Sequence, residues 1–258
     1  MKLSHLAAIS TGIIITLGVI LIAPAFLRTP GDATARTNPI MIIFDIRDTA
    51  SNEVQISEWC RDLADLVELH SIKATIFESG NVARTNSECV TSFPDNIDIG
   101  SKTNNHVNLQ SVDYSNALEE VSEGKEAIDS AGQLNSKLFK APNGATDENI
   151  FSLLNRSGIL ADFSYSDHYN VYENGLFIMH PAITFDGRSI DLEDLRATAS
   201  SAGVNTPIII LFDNTMEISQ IDEVILLLQN NLAPPNFEFV NASEMTGIDL
   251  TVRGGELG

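Results

Sequence analysis

The chain has 258 residues, 43% of them apolar, and 35 acidic against 15 basic side chains, a formal charge of −20. That length suffices for one large domain or two small ones with a real hydrophobic core, and the apolar content excludes a disordered chain. The acidic balance excludes a general nucleic-acid binder, because phosphate binding needs a cationic surface, and argues against docking of the globular surface on anionic lipid.

Residues 1–5 read as a short cytoplasmic end carrying Lys2. From Leu6 to Leu27 the sequence LAAISTGIIITLGVILIAPAFL has no charge over 22 residues and no polar face. At about 1.5 Å per residue it is long enough for a hydrocarbon core of about 30 Å. We expect an uncleaved transmembrane signal anchor, single-pass, with the bulk of the chain extracytoplasmic. Ala23-Pro24-Ala25 loosely resembles a cleavage site, and cleavage there makes the protein secreted. Residues 28–39 (RTPGDATARTNP), a polar Gly/Pro/Thr stretch with no periodicity, read as a linker. Residues 40–245 then form a single domain, and 246–258 a tail.

Within the domain, short apolar runs alternate with helical patterns. Ile40–Phe44 reads as a strand ending at Asp45, and Ile56, Trp59, Leu63, Leu66 and Val67 step with the period of an amphipathic helix. Ile72–Phe77 is a strand, Val82–Val90 a helix and Ile97–Ile99 a short strand. A longer helix covers Tyr114–Ser130, followed by a strand at Lys137–Phe139. Thr146 is placed to cap the next helix, whose first turn carries Asp147 and Glu148. Leu160–Tyr165 and Leu176–Met179 are strand candidates, and Pro207–Phe212 is the clearest buried strand. Ile218, Ile221, Val224, Ile225 and Leu228 mark a strong helix, and Phe237–Val240 a last strand. Cys60 and Cys89 are read either as a disulfide or as two separate buried thiols. The sequons at Asn155 and Asn241 carry little weight, and His70, His168 and His180 receive no role. Alternating strands and helices imply a mostly parallel α/β sheet, open or closed into a barrel.

In such folds chemistry gathers at the carboxyl ends of strands. Five of these ends carry polar residues in a suggestive order: Phe44-Asp45-Ile46-Arg47-Asp48, Gly100 to His106 (GSKTNNH), Lys140-Ala141-Pro142-Asn143-Gly144, Asp162-Phe163-Ser164-Tyr165 and Ile210-Leu211-Phe212-Asp213-Asn214. Over most of residues 40–242 this resembles the polysaccharide deacetylases of the NodB-homology type, carbohydrate esterase family 4. The resemblance implies a distorted (β/α) barrel preceded by the N-terminal transmembrane helix. It also implies a metal-dependent carbohydrate N-deacetylase, a hydrolase using a divalent metal such as zinc.

In that family the first strand ends in Thr-Phe-Asp-Asp, whose first aspartate is the general base and whose second binds the metal. A His-x-x-x-His motif supplies the other two ligands, and an Arg-x-Pro-x-Gly motif walls the groove and orients the base. An Asp/Ser/Tyr segment follows, and a Leu-x-His segment carries the general acid. Carried over to this chain, Asp45 takes the place of the base and Lys140 that of the orienting arginine. Pro142, Asn143, Gly144, Asp162, Ser164 and Tyr165 are implied to bind substrate. Ile46 stands where the metal-binding aspartate belongs, Lys102 where the first histidine belongs, and Phe212 where the acid histidine belongs. His106 is the one ligand-type residue retained.

An ammonium donates, repels a divalent ion and offers it no lone pair, and a benzene ring delivers no proton. We therefore expect no metal and no cofactor, with Asp45 and Lys140 as residual catalytic residues without function. Lys102 is expected to substitute for the lost cation by pairing with Asp45, with Lys140 nearby. Asp48 reaches the lost aspartate's place only through a rearranged loop. The expected function is a membrane-anchored, catalytically silent deacetylase-like protein that binds a cell-surface glycan or serves an envelope or membrane protein assembly. An active deacetylase with a non-standard site and a purely structural ectodomain are the alternatives.

Overall fold

A computed structural model describes residues 38–48, 53–164, 171–173, 175–178, 183–202, 207–232 and 237–253, all within a compact unit spanning Ala33–Gly258. The expected membrane span 6–27, the linker up to residue 37, Tyr165, His168 and His180 lie outside the described residues. Among the described residues no helix is long and apolar enough to cross a membrane.

The first strand, β1 (Asn38–Ile46), takes up the last two residues of the expected linker and is an interior strand of the sheet. After it come α1 (Glu53–Leu69) and β2 (Ala74–Glu78). The single helix expected over 82–90 is two short ones, α2 (Gly80–Thr85) and α3 (Glu88–Thr91). Asn86 and Ser87 break the run between them; both residue types hydrogen-bond locally in competition with a continuous helix.

Strand β3 (Ile97–Ser101) leads to α4 (Tyr114–Gly132), capped by Asp113, whose side chain accepts from Asn116 N. Then follow β4 (Leu134–Ser136), β5 (Leu138–Phe139) and α5 (Glu148–Arg156). The cap of α5 is Asp147 rather than Thr146: its carboxylate accepts from Asn149 N and Ile150 N. A carboxylate adds charge to the same cap geometry, so it satisfies the open N–H groups better than a hydroxyl.

The strand expected over 160–165 is only β6 (Ala161–Asp162). Beyond it run β7 (Val171–Glu173), β8 (Leu176–Ile178), β9 (Ile183–Asp186) and α6 (Leu192–Ala202). Strand β10 (Ile208–Asp213), helix α7 (Ile218–Asn231), β11 (Phe237–Phe239), α8 (Ala242–Thr246) and β12 (Thr251–Arg253) complete the chain. β12 pairs antiparallel with β4, so part of the expected tail is built into the fold. Asn241 of the second sequon is a buried helix cap, its side chain accepting from Glu244 N.

The main sheet runs β7-β8-β6-β5-β3-β2-β1-β10-β9, with β11 added beside β1. Every pairing in it is parallel except β7 with β8. It is a curled half-barrel with helices, the α/β architecture of the NodB type. Along β1, Ile40, Ile42, Phe44 and Ile46 join the larger core beneath α1 and α7, while Met41 and Ile43 join a second core with Met245 and Leu250. Burial on both faces is why this strand reads as an unbroken apolar run.

Cys60 on α1 and Cys89 on α3 form a disulfide inside the larger core, which selects the first of the two readings. Gly124 of α4 lies against the chain just after β3. A Cβ there would stand 2.6 Å from the Lys102 carbonyl oxygen. The missing side chain lets α4 clamp the segment that carries Lys102.

Candidate active site

Side chains alternate across a strand, so Asp45 shares the face of Met41 and Ile43 and points into the half-barrel. Its parallel neighbour in register is Asp213 at the end of β10. Lys102 directly follows β3, and Lys140 directly follows β5, so the ends of β1, β3 and β5, with β2 between the first two, come to one spot. All three side chains are buried, Lys102 to 1% exposure, Lys140 to 3% and Asp45 to 4%.

Both ammonium groups bind the one carboxylate. Lys102 Nζ donates to Asp45 Oδ1, and Lys140 Nζ donates to Oδ2 at 2.6 Å. Lys102 Nζ also lies 2.9 Å from His106 Nε2. Burial by itself raises the Asp45 carboxyl, yet Lys102 and Lys140 together outweigh it and hold the group well below the usual carboxylate range. Burial lowers the Lys102 ammonium to about 8; Asp45 opposes the fall, and Lys140 and Arg47 add to it. Lys102 is still charged at pH 7. Burial, followed by the charge of Lys102, drops the His106 imidazole to about 4. A neutral imidazole beside a donor-only ammonium must accept at Nε2, which places its own proton on Nδ1.

The expected Lys102–Asp45 pairing is therefore present, and it includes Lys140 and His106. This donor set does not fit a divalent ion. Both Asp45 oxygens are occupied by ammonium groups, and the His106 lone pair is directed at Lys102. Ile46 is wholly buried in the core beneath the helices and supplies no ligand. Asp48 is exposed and accepts from Asn81 Nδ2 at 3.1 Å. Among the described residues no three His, Cys, Asp or Glu side chains converge as a metal site would require.

The loop after β5 forms the wall. Pro142 and Gly144 are buried, and Asn143, at φ 58°, turns outward to the surface. Asp162 and Ser164 are fully buried and act as struts beneath this wall. Ser164 Oγ accepts from Ala141 N at 2.7 Å and donates to Asp162 Oδ1, and Ser164 N donates to the same oxygen at 3.0 Å. Burial raises the Asp162 carboxyl to about 6, against the hydrogen bonds from Ser164, and its Oδ2 is buried with no partner among the described residues.

Phe212 does not face this site. It stacks on Phe44 at 5.5 Å between ring centroids, in the core beneath the helices. The residue of β10 that shares Asp45's face is Asp213. Asp213 Oδ2 accepts from Arg47 Nη2 at 2.8 Å, and Oδ1 accepts from Arg188 Nη2 and from Thr215 N at 3.0 Å. Asn214 locks the same corner: its Oδ1 accepts from Arg47 N at 3.2 Å and its Nδ2 donates to Arg47 O at 2.8 Å. Sequence reasoning missed Arg47, Arg188 and Asp213. The period of two along Ile209, Leu211 and Asp213 was the available signal.

Comparison with known proteins agrees with this architecture. A polysaccharide deacetylase family model matches residues 32–161, half of the 258-residue chain. No curated protein matches the sequence. Among solved structures, a candidate polysaccharide deacetylase from Mycobacterium smegmatis is similar at a TM-score of 0.66 and 14% identity, over 92% of this chain and 99% of that one. A mutant of BA3943, a CE4 family pseudoenzyme from Bacillus anthracis, with restored enzymatic activity, is similar at 0.57 and 14% identity, over 82% and 68%. The peptidoglycan deacetylase PdaC from Bacillus subtilis is similar at 0.54 and 16%, over 82% and 91%. At such identities the likeness concerns the fold.

Two measurements check the electrostatics. Replacing Lys102→Met leaves a buried carboxylate short of one cation and costs about 3–5 kcal/mol in urea denaturation at pH 7. Asp45→Asn costs much less in that background than in the parent chain; strictly additive costs contradict the pairing. For Asp162 the folded carboxyl titrates above the unfolded one, so its contribution is fully present below pH 3.8 and is lost as pH rises through about 6. Asp162→Asn, which keeps the acceptor, therefore gains on the parent between pH 4 and 6 by about 3 kcal/mol and then levels off. Parallel curves across that window contradict it.

Proposed function

Starting from the premise that this chain belongs to the polysaccharide deacetylase family, as a divergent NodB-homology member, we propose that it binds a cell-envelope glycan without deacetylating it. One observation carries this reading: the Lys102 ammonium lies between Asp45 and His106, the residues matching the family's base and second histidine ligand. Deacetylation of this kind uses a metal to polarise the acetamide carbonyl and to lower the pKa of the attacking water. The ammonium supplies the positive charge that keeps Asp45 ionised, but it has no vacant site for a water or a carbonyl oxygen to ligate. Asp45 is meanwhile stripped of basicity by two cations, which makes it a poor acceptor for the proton of a water.

The protein in this reading is tethered through residues 6–27 with its domain outside the membrane. The Cys60–Cys89 disulfide favours such an oxidising compartment. The exposed Asn143 on the Lys140 loop is the wall residue offered to a sugar, with Tyr165 beside the buried Asp162–Ser164 strut in sequence. A partner in envelope assembly fits the same reading, since a silent site still recognises a polymer.

The test is the full chain in detergent, incubated with zinc, desalted and assayed for bound metal and for acetate released from N-acetylglucosamine oligomers. Less than one tenth of an equivalent of zinc, on the order of background, and no acetate are expected. Stoichiometric zinc with chelator-sensitive acetate release overturns the proposal.

A further inference from the structure

Strand β2 ends in an acid that the site described above does not use. Along β2, Ile76 joins the larger core beneath the helices and Phe77 the second core. Alternation therefore turns Glu78 back toward the helices, on the side of its register neighbour Ile46. Glu78 has no exposure, and both its carboxyl oxygens are without a hydrogen-bond partner among the described residues, as is the buried hydroxyl of Ser79. An ionised carboxylate in such surroundings costs far more than the neutral acid. Burial alone accordingly raises the Glu78 carboxyl well above its ordinary 4.5.

The charges on neighbouring elements are engaged elsewhere. On β1 and β3, Asp45 and Lys102 pair with each other on the opposite face, and Asp98 accepts from Ser243 Oγ. Arg47, just beyond β1, binds Asp213. Arg84 of α2 donates to Asn104 Oδ1, and Glu88 of α3 accepts from Ser57 Oγ. Glu120 and Glu123 of α4 accept from the amides of Asn105 and Asn104. Glu58, Arg61, Asp62, Asp65 and Glu68 of α1 are exposed.

The backbone of the same residue holds the Lys102 segment. Lys102 N donates to Glu78 O at 2.8 Å, Gly80 N to Thr103 O at 3.3 Å and Asn81 N to Asn104 O at 2.9 Å. These bonds zip residues 78–81 onto 102–104, the stretch that presents the Lys102 ammonium to Asp45. We propose that Glu78 is a proton-operated latch: while its carboxyl is protonated the zipper stays closed and Lys102 is held on Asp45, and release of the proton to solvent opens the zipper and frees the ammonium. The latch governs how the site is held together and stands apart from the glycan reading. The opened carboxyl titrates at its ordinary value and the closed one higher. The latch's stabilisation is therefore fully present below pH 4.5 and is lost as pH rises through the closed group's own titration.

Amide hydrogen exchange of the full chain in detergent reads the latch at the Lys102 N–H, in the parent, in Glu78→Gln and in Glu78→Leu, from pH 4.5 to about 8. Glutamine keeps the shape without a titrating group, and leucine suits the apolar surroundings if the amide prevents folding. Asp162, His106 and Lys102 titrate in all three chains and cancel in the ratio of parent to variant rates. That ratio climbs with pH by up to about tenfold per unit and levels off once the closed Glu78 ionises. In the parent at the upper end of this range, the Lys102 amide also exchanges faster than that of Ile210 in β10, because the latch opens without the whole fold. A flat ratio across the range overturns the latch. So does Lys102 exchange as slow as that of Ile210, which ties loss of the proton to global unfolding.

Discussion

A carboxylate buried at the end of a central strand requires a positive partner, and the site is organised around that requirement. Asp45 is almost without solvent, and an isolated ion there would simply take up a proton. Relatives of this fold are expected to meet the requirement with a divalent metal. Here the cation is covalent, the ammonium of Lys102, supported by that of Lys140. A fixed ammonium satisfies the charge but, having no lone pair or vacant coordination position, offers nothing for a water or carbonyl oxygen to ligate.

The sheet supplies the geometry. Parallel strands in register bring the ends of β1, β3, β5 and β10 to one edge, where Asp45 and Asp213 at the strand ends meet Lys102 and Lys140 just beyond them. Tight helix packing fixes the level of that edge; α4 approaches so closely at Gly124 that any side chain there would strike the Lys102 segment. Beneath the wall, Asp162 and Ser164 hold the Lys140 loop by its backbone at Ala141. Position, rather than any unusual residue type, turns these groups into one electrostatic unit.

Much of this was legible in the sequence. The apolar runs at Ile40–Phe44 and Pro207–Phe212 announced strands buried on two faces, and the spacing from Lys102 to His106 placed an ammonium where a ligand was expected. Three kinds of feature were not legible. Short elements such as β6 and β12 carry too few residues to show a period, and their existence depends on neighbours far away in the chain. The helix at 192–202 offers only Leu195 among its described side chains as fully buried, too few apolar anchors to mark a period. The orientation of Phe212 and Asp213 depended on which of two consecutive residues turned inward. The motif comparison left Phe212 as a core residue, where it stacks on Phe44, and strand alternation from Asp45 through its register neighbour brings Asp213 to the same face. Arg47 and Arg188, separated by most of the chain, become partners only through that choice.

The central claim is that Lys102 fills the position a metal would take, with His106 as a neutral acceptor facing it. Nitrogen-15 NMR of the histidine side chains reads this directly, by following the His106 ring nitrogens at pH 7 before and after an equivalent of zinc. The account predicts an imidazole protonated at Nδ1, with Nε2 shifted by a hydrogen bond from an ammonium and unmoved by the zinc. A metal-dependent shift of Nε2, with release of Lys102 from Asp45, would contradict it.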